Sequence, residues 1–423
     1  MSMKSRLAAL PLVLALAATP ALAQLKKGEA ATAEQVATGE VPAAPIDESE
    51  KALRALQSQA NLPMWNDRSA RELLSYVERV GEEGLDPADY SPDLLREAIS
   101  RGEPMALRTV ATDIFLRLSS DLALGHARGD DRLGWHVIDP DLDSNAQYAM
   151  MHSAVQAGGI RNALNALLPT HPQYAELKGV LAVTTDAAVR DKVRTNLDRW
   201  RWLPRELGPR YVIVNVPAYT VALVENGQVV VRHRTVVGAP KTATPQLSAT
   251  ATGVIFNPWW EVPKSITPEV QGKKGYVRVK AGEGFRYRQP PGAGNALGRM
   301  KVVMPNNHAI YLHDTPSKHL FKNKARAYSH GCIRTQDALG FAEALLESPE
   351  WDKTKIAETI AGGKTVQATA SIATPVYITY FTAAAAADGA GIVAYKDIYD
   401  RDGKVVVALN DRATTGALAS VGN

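Results

Sequence analysis

Cysteine is nearly absent from this sequence. Its 423 residues include only one, Cys332, within the segment SHGCIRT. A lone thiol cannot form an internal disulfide, so a fold held together by disulfides is excluded. Cys332 is therefore half of an intermolecular bridge, an inert buried thiol or a chemically active group. The residues around it have to separate these three possibilities.

A strong charge bias and the common cofactor motifs are also missing. The formal net charge of +4 is too small to indicate nucleic-acid binding. No P-loop, GxGxxG motif or zinc-type Cys/His set occurs, so we expect no metal or organic cofactor. The segment DPDLDSN (139–145) begins like a calcium-binding loop, but Ser144 and Met150 stand where such a loop needs glycine and glutamate. It predicts a turn beside a helix cap instead.

A long apolar run is missing as well. The N-terminal stretch Leu7–Ala18 has about a dozen residues, whereas a membrane-spanning helix needs about 20. Lys4 and Arg6 precede this stretch, and the small-residue site Ala21–Ala23 follows it. The pattern predicts a signal peptide (1–23), export to the periplasm and a mature chain that starts near Gln24 without a transmembrane segment.

Helical spacing dominates the first half of the remaining chain. Residues 24–48, rich in Ala, Thr, Glu and Pro, predict a flexible tether. From 49 to 182 the apolar residues recur at helical intervals, as where Leu73, Leu74, Val77 and Val80 fall on one face. This segment predicts a helical domain, and residues 183–209 predict a connecting helix or linker.

Strand periodicity replaces helical periodicity near Arg210. Two β-branched runs flank Glu225–Gly227 and predict a hairpin. Further strands are predicted in GVIFNPWWEVP, RMKVVMP and HAIYLHDTP, and a helix is predicted in DALGFAEALL (337–346). The fold class is therefore α+β, with a helical N-terminal domain followed by a mainly β domain, sandwich- or barrel-like, over 210–423.

The residues around Cys332 favour a chemically active thiol. A nucleophilic thiol needs a base, and it needs donors for the oxyanion that forms when it attacks a carbonyl. His313, at the end of the predicted strand AIYLH, lies nineteen positions before the cysteine. That gap suits a base and a nucleophile on adjacent strands, although His330 remains an alternative base. Gly331 permits an unusual turn that could aim the N–H groups of residues 331 and 332 at an anion.

A family resemblance becomes specific at this point. His313, fifteen intervening residues and then Ser329-His330-Gly331-Cys332 resemble the signature of L,D-transpeptidases, whose catalytic domain is also called YkuD. Residues 53–182 resemble the helical scaffold domain of the large periplasmic branch. Two stretches, VVGAPKTATPQLSATATGVIFNPWWEVPKSI and QPPGAGNALGRMKVVMPNNHAIYLHDTPSKHLF, resemble that branch too. The resemblance implies a YkuD-type catalytic domain with a capping insertion over 264–300.

The resemblance also implies roles for these residues. Cys332 matches the nucleophile, His313 the proton donor/acceptor, and His330 and Gly331 fall in the oxyanion loop. It implies that Cys332 attacks the carbonyl joining diaminopimelate, third in a peptidoglycan stem peptide, to D-alanine, fourth in the stem. An amine of a second stem would then form a 3→3 cross-link. Carbapenems, as acylating mimics, are expected inhibitors.

Further residues are candidates for binding the stem peptide. Arg334 stands where shorter family members usually carry asparagine, and its guanidinium could hold a substrate carboxylate bidentately. The other candidates are Tyr311, Ser329, Trp259 and Asn295. The segment LAVTTDAAVRDKVRTNLDRWRWLP leads almost directly from scaffold to catalytic region, so the peptidoglycan-binding module that large members often carry there is predicted to be missing.

The predicted capping insertion, residues 264–300, is strongly basic. It carries eight Lys or Arg residues against two Glu, with the aromatic residues Tyr276, Phe285 and Tyr287 interleaved. A charge run is commonly just a solvated face. Here the flanking glycines and the acidic stem peptides of the expected substrate favour a mobile lid over the cleft.

Several alternatives stay open at the level of sequence. Water instead of an amine would make the protein an L,D-carboxypeptidase, and an envelope-protein amine would make it a transferase that attaches that protein to peptidoglycan. A sortase-like ligase also places His before Cys, but with a longer gap. A non-enzymatic wall-binding scaffold would tolerate the loss of Cys332.

Overall fold

The N-terminal half of the chain is helical, as the periodicity predicts. The computed structural model describes residues 62–138, 141–282, 284–387 and 391–411. The predicted signal peptide, the predicted tether and residues 49–61 lie outside the described residues. The helices of this half are α1 (Asp67–Val77), α2 (Pro92–Arg101), α3 (Pro104–Leu124), α4 (Ser144–Ala157), α5 (Ile160–Asn165), α6 (Pro172–Val183) and α7 (Ala187–Trp200).

Side-chain caps fix where several of these helices begin. Asn66, Asp143 and Asp186 each accept a hydrogen bond from a backbone N–H of the first helical turn, which satisfies a donor that the helix itself leaves unpaired. Asp143 receives the N–H of Ala146 at 2.7 Å. The prediction of a helix cap in the calcium-like segment is therefore confirmed.

The apolar face predicted for the first helix forms part of a buried core. Leu73, Val77 and Val80 pack there with Phe115 and Leu118, all nearly inaccessible to solvent. Leu74 is only partly buried at the edge of the same cluster. No helix among the described residues is both long and apolar enough to cross a membrane.

The C-terminal half is built on a sheet that closes on itself. The sheet strands are β1 (Arg210–Asn215), β2 (Thr220–Glu225), β3 (Gln228–Gly238), β4 (Ser248–Phe256), β8 (Met300–Val303), β9 (Leu312–His313), β10 (Ala327–Ser329), β11 (Ile333–Thr335) and β12 (Val366–Thr379). Their order in the sheet is β10-β3-β11-β9-β8-β4-β12-β1-β2, and a further pairing of β2 with β3 closes the sheet into a barrel. The α+β prediction with a barrel-like second half is thereby confirmed.

The predicted hairpin joins β2 to β3. Glu225 pairs with Gln228, and the two residues between them, Asn226 and Gly227, have φ angles of +47° and +78°. Two consecutive positive φ values suit the right-handed twist of a hairpin, and Asn-Gly adopts them at little cost. The local sequence therefore determines this turn.

The capping insertion forms a small sheet of its own between β4 and β8. The strands of this sheet are β5 (Trp260–Glu261), which lies just before the predicted bounds of 264–300, and β6 (Val277–Ala281) and β7 (Gly284–Gln289), which lie within them. The strand order is β5-β7-β6, and a short helix α8 (Thr267–Val270) precedes β6. The remaining elements are α9 (Ala338–Leu346), α10 (Lys353–Ala361), β13 (Ala383–Ala385), β14 (Ile392–Ala394) and α11 (Asp402–Asn410).

The helical half and the barrel share apolar contacts and belong to one compact unit. One buried cluster joins Leu177 and Trp200 of the helices to Tyr211 and Tyr377 of the barrel. The barrel therefore packs directly against the helical half.

Candidate active site

Cys332 lies in the turn between β10 and β11. The hydroxyl of Ser329, the last residue of β10, donates to the Cys332 carbonyl (2.6 Å) and accepts from the Gly331 N–H (3.1 Å). Gly331 has φ +116°, and a Cβ atom there would lie 3.2 Å from Cδ1 of Ile310. The turn therefore needs glycine for its backbone conformation.

A loop that follows β3 holds the same turn through hydrogen bonds. The Thr244 hydroxyl donates to the Gly331 carbonyl (2.7 Å) and accepts from the Gly238 N–H (2.9 Å). The Thr242 hydroxyl donates to the Ser329 carbonyl at 2.9 Å. Sequence reasoning missed both threonines, because only the folded chain brings them to the turn.

Three adjacent strands place a row of side chains next to Cys332. β9 pairs with β11 so that His313 lies opposite Arg334, and β8 pairs with β9 so that Lys301 lies opposite His313. Paired residues on neighbouring strands point to the same face, as do residues two positions apart. Tyr311 and Cys332 come two positions before His313 and Arg334, just outside these strands. Tyr311 hydrogen-bonds to Cys332, and the charges of Lys301 and Arg334 act on the thiol, which places it beside this face.

The thiol is half-buried and protonated at neutral pH. Its Sγ lies 3.7 Å from the carbonyl oxygen of Ala309. Burial raises the pKa of Cys332, and hydrogen bonds from the backbone and hydroxyl of Tyr311, with the charges of Lys301 and Arg334, offset only part of that rise. A nucleophilic role therefore requires a base.

His313 is buried as a neutral imidazole. It is 4% exposed, and its Nδ1 has no hydrogen-bond partner in the described part of the chain. Burial, and then the positive charge of Arg334, lower the pKa of His313 to about 3, against the opposing effect of Asp314. The ring is therefore uncharged at physiological pH and can accept a proton.

His330 contacts the capping insertion. Its Nε2 lies 3.0 Å from Oε1 of Glu269 in α8, and both side chains are about half exposed. Of the two histidines that the sequence left open as bases, His313 is thus the one in the strand row next to the thiol. His330 joins the turn to the insertion.

Two family models match this chain. The model of the L,D-transpeptidase (YkuD) catalytic domain matches residues 209–378, and the model of the Scaffold domain matches residues 51–181. The chain thus contains an L,D-transpeptidase catalytic domain that follows a scaffold domain. The L,D-transpeptidases are a family of enzymes, and the catalytic-domain match includes the turn that carries Cys332 and the strand that carries His313.

One curated relative and several solved structures are similar to this chain. A Haemophilus influenzae protein named "Putative L,D-transpeptidase" is 26% identical over 403 residues, covering 84% of this chain and 78% of the relative. An L,D-transpeptidase structure from Mycobacterium smegmatis matches with 18% identity and a TM-score of 0.23, over 40% of this chain and 58% of that one. A mutant Enterococcus faecium L,D-transpeptidase matches with 15% identity and a TM-score of 0.22, over 41% of this chain and 50% of that one. This chain thus spans half to three-fifths of the length of those two solved chains. Their TM-scores are too low to support any further argument.

Two of the predicted substrate-binding residues of this L,D-transpeptidase domain lie at the thiol. Tyr311 hydrogen-bonds to Cys332, and its hydroxyl also meets the indole of Trp260. Arg334 is half-buried, and its Nε has no hydrogen-bond partner within the described residues. Both side chains therefore remain candidates for contact with a substrate.

The other predicted substrate-binding residues are occupied by internal contacts. Asn295 is 1% exposed, and its side-chain amide donates to the carbonyls of Pro258 (3.0 Å) and Pro290 (2.8 Å) at the base of the insertion. The buried Ser329 holds the turn, as described above. The Arg288 guanidinium lies 4.1 Å from the ring centroid of Trp259. The side chains of Asn295 and Ser329 are thus buried with internal hydrogen-bond partners, whereas Trp259 stays partly exposed.

The basic residues of the capping insertion divide into two groups. Arg278 lies 3.8 Å from the ring centroid of Phe285, and Arg288 forms an ion pair with Glu261 at 2.9 Å. Four lysines are exposed and form no ion pair among the described residues: Lys264, Lys273, Lys274 and Lys280. Together with Arg278, these lysines carry the charge of the insertion that has no ion-pair partner among the described residues.

One cavity of the described residues lies away from the thiol. It has a volume of about 680 Å³ and lies between His171 and Trp200 of the helical half and the outer face of β1 and β2. None of the residues in the Cys332 row lines it.

Proposed function

We propose that this protein is a periplasmic cysteine L,D-transpeptidase that forms 3→3 cross-links between peptidoglycan stem peptides. The observation that carries the proposal is the position of the chain's single thiol. It lies beside the face of three strands that carries the buried neutral imidazole of His313 and the cations Lys301 and Arg334. The catalytic-domain match supplies the substrate class.

Acylation of the thiol is the first step of the proposed reaction. The sulfur of Cys332 attacks the carbonyl between diaminopimelate and D-alanine while His313 accepts the thiol proton. Because the pKa of the thiol is raised and that of the imidazole is lowered, transfer before attack is unfavourable, and the two events should be concerted. Protonated His313 then donates to the nitrogen of the departing D-alanine, which leaves a thioester on Cys332.

The oxyanion of this step needs hydrogen-bond donors. The Gly331 N–H already donates to the Ser329 hydroxyl. The Cys332 N–H is therefore the donor of this turn that we assign to the oxyanion. Thr242, Thr244 and Ser329 would hold that N–H in place by fixing the carbonyls of Ser329, Gly331 and Cys332.

Transfer to an acceptor completes the cycle. A side-chain amine of a second stem attacks the thioester, its proton passes to His313, and the released sulfur recovers a proton from His313. An amine of an envelope protein could take the same place as acceptor. Water in that place would give an L,D-carboxypeptidase, so the acceptor decides between these alternatives.

Mass spectrometry on the purified protein tests the proposed function. Incubation with a tetrapeptide stem should add the mass of the tripeptide acyl group to the peptide containing Cys332, and addition of a second stem should give dimers. Tripeptide without dimers would identify a carboxypeptidase. No adduct on Cys332 under any of these conditions would contradict the acyl-enzyme mechanism.

The exposed lysines of the insertion should assist charged substrates. The triple substitution Lys264→Gln, Lys273→Gln and Lys274→Gln should lower kcat/KM on free-acid stem peptides several-fold at low salt. The difference should shrink as salt rises, because exposed charges are screened over about 8 Å at physiological ionic strength. The measurement is kcat/KM at two salt concentrations.

The control for this experiment is a triple change away from the insertion. Lys353, Lys355 and Lys364 are also exposed, and their conversion to Gln should leave kcat/KM unchanged. Alkylation of Cys332 by iodoacetamide should proceed at the wild-type rate in both triple variants, since that reaction needs only the thiolate. Equal kcat/KM for the two variants would remove the lysines of the insertion from substrate capture.

A further inference from the structure

Lys301 is a cation of the site that the sequence motif does not include. It lies on β8 directly opposite His313, whose partner on the other side is Arg334. Lys301, His313 and Arg334 therefore form one cross-strand row beside Cys332. The Lys301 Nζ lies 4.8 Å from the ring centroid of Tyr311, the residue that hydrogen-bonds to the thiol.

The Lys301 charge has no ion-pair partner among the described residues. The neighbouring acid Glu261 forms its own ion pair with Arg288 at 2.9 Å. Lys301 is half-buried, and burial lowers its pKa while the charges of Cys332 and Glu261 oppose that shift. Loss of hydration without an ion pair is unfavourable for an ammonium group.

Arg334 repeats this situation at the other end of the row. Its Nε atom is buried without a hydrogen-bond partner in the described part of the chain, and burial lowers the pKa of its guanidinium. Two partly desolvated cations without ion-pair partners thus flank one imidazole, next to a thiol that is protonated at neutral pH. Such a pair suits an anionic ligand that arrives with the substrate.

We propose that Lys301, together with Arg334, forms a carboxylate subsite that holds the terminal carboxylate of the donor stem peptide. This inference rests on the proposed function. In a tetrapeptide stem the terminal carboxylate belongs to the residue that leaves, and consecutive Cα atoms are only about 3.8 Å apart. A cation in the row next to the thiol therefore lies within reach of that carboxylate when the sulfur meets the scissile carbonyl.

The subsite gives the enzyme a preference for stems that end in a free carboxylate after the scissile bond. A stem whose last residue carries a neutral carboxamide presents the same scissile carbonyl without the charge. When Lys301 holds the terminal carboxylate, the leaving residue is fixed in place. The scissile carbonyl next to it is then held against the sulfur of Cys332, so Lys301 increases the acylation rate by positioning the substrate.

Two substrates and two variants test the subsite. The substrates are a tetrapeptide stem with a free terminal carboxylate and the same stem as a terminal carboxamide. Lys301→Met should lower the acylation kcat/KM about 10- to 100-fold on the acid, the range for a hydrogen bond to a charged group, and change it little on the amide. Lys301→Arg should recover part of the loss on the acid. Lys355→Met, an exposed lysine on α10, should change neither rate.

Each contrary outcome has a distinct meaning. Equal losses on acid and amide would overturn the subsite, and so would an equal loss in the rate of Cys332 alkylation by iodoacetamide, because the charge would then act on the thiol. A wild-type protein that acylates neither stem would overturn the proposed function itself. A wild-type protein that acylates both without a preference for the acid would overturn the subsite alone.

Discussion

Replacing Cys332 with serine should abolish cross-link formation while the protein stays folded. The oxygen is nearly isosteric with sulfur, but a serine hydroxyl is far less acidic than a thiol and is a weak nucleophile without a strong base. His313, with a pKa lowered to about 3, is a weak base. We therefore expect kcat to fall by roughly a thousandfold or more, measured as stem-peptide dimers by liquid chromatography and mass spectrometry.

Thermal unfolding of the same variant separates chemistry from folding. The turn is held by Ser329, Thr242 and Thr244. The thiol adds a contact of 3.7 Å to the Ala309 carbonyl and hydrogen bonds with Tyr311, which a serine hydroxyl can also make. The Tm of Cys332→Ser should therefore stay close to that of the wild type. Wild-type rates in this variant would show that Cys332 is not the nucleophile.

Local sequence signals predicted the parts of the fold that are fixed locally. The hairpin at Asn226 and Gly227 depends on two backbone angles that these residues adopt readily. The helix cap at Asp143 depends on one side chain and an N–H three residues later. Neither feature needs distant parts of the chain, so short patterns were sufficient.

The closing helix shows where local signals fail. The segment DGKVVVALN is rich in β-branched valine, which favours strands, yet it forms α11. Val405 and Leu409, four positions apart, are buried in the core of the N-terminal helices, while Val407 stays exposed. Burial against distant helices outweighs the local preference.

The same distinction applies to the site. Cys332, Gly331 and His313 belong to a spaced pattern that can be recognised in the sequence. Lys301 and Thr244 belong to no such pattern, because strand register brings Lys301 opposite His313 and a loop contact brings Thr244 to the turn. Pairings between residues far apart in sequence determine these positions, and a single sequence does not contain them.

The two histidines of the motif region should differ sharply when they are replaced. His313→Ala removes the group that we propose takes the thiol proton, so single-turnover acylation by a tetrapeptide stem should fall by roughly 10²- to 10⁴-fold. His330→Ala removes a half-exposed contact with Glu269, and such pairs contribute about 1 kcal/mol at most. Its acylation rate should therefore fall by about fivefold or less, and the order of the two effects would be reversed if His330 were the base.

The pH dependence of acylation gives His313 a second test that does not rely on substitution. A general base works in its unprotonated form, so activity is lost as pH falls through its pKa. Burial and the charge of Arg334 lower the pKa of His313 to about 3, well below the ordinary histidine value of about 6.5. We therefore expect kcat/KM for acylation to show no acid limb near pH 6.5 and to decline only as the pH approaches about 4.

Removing the charge of Arg334 by Arg334→Gln should shift that decline to higher pH, whereas Lys355→Gln, on α10, should not. An acid limb near 6.5 in the wild-type protein, unmoved by Arg334→Gln, would assign the base to a more exposed group than His313.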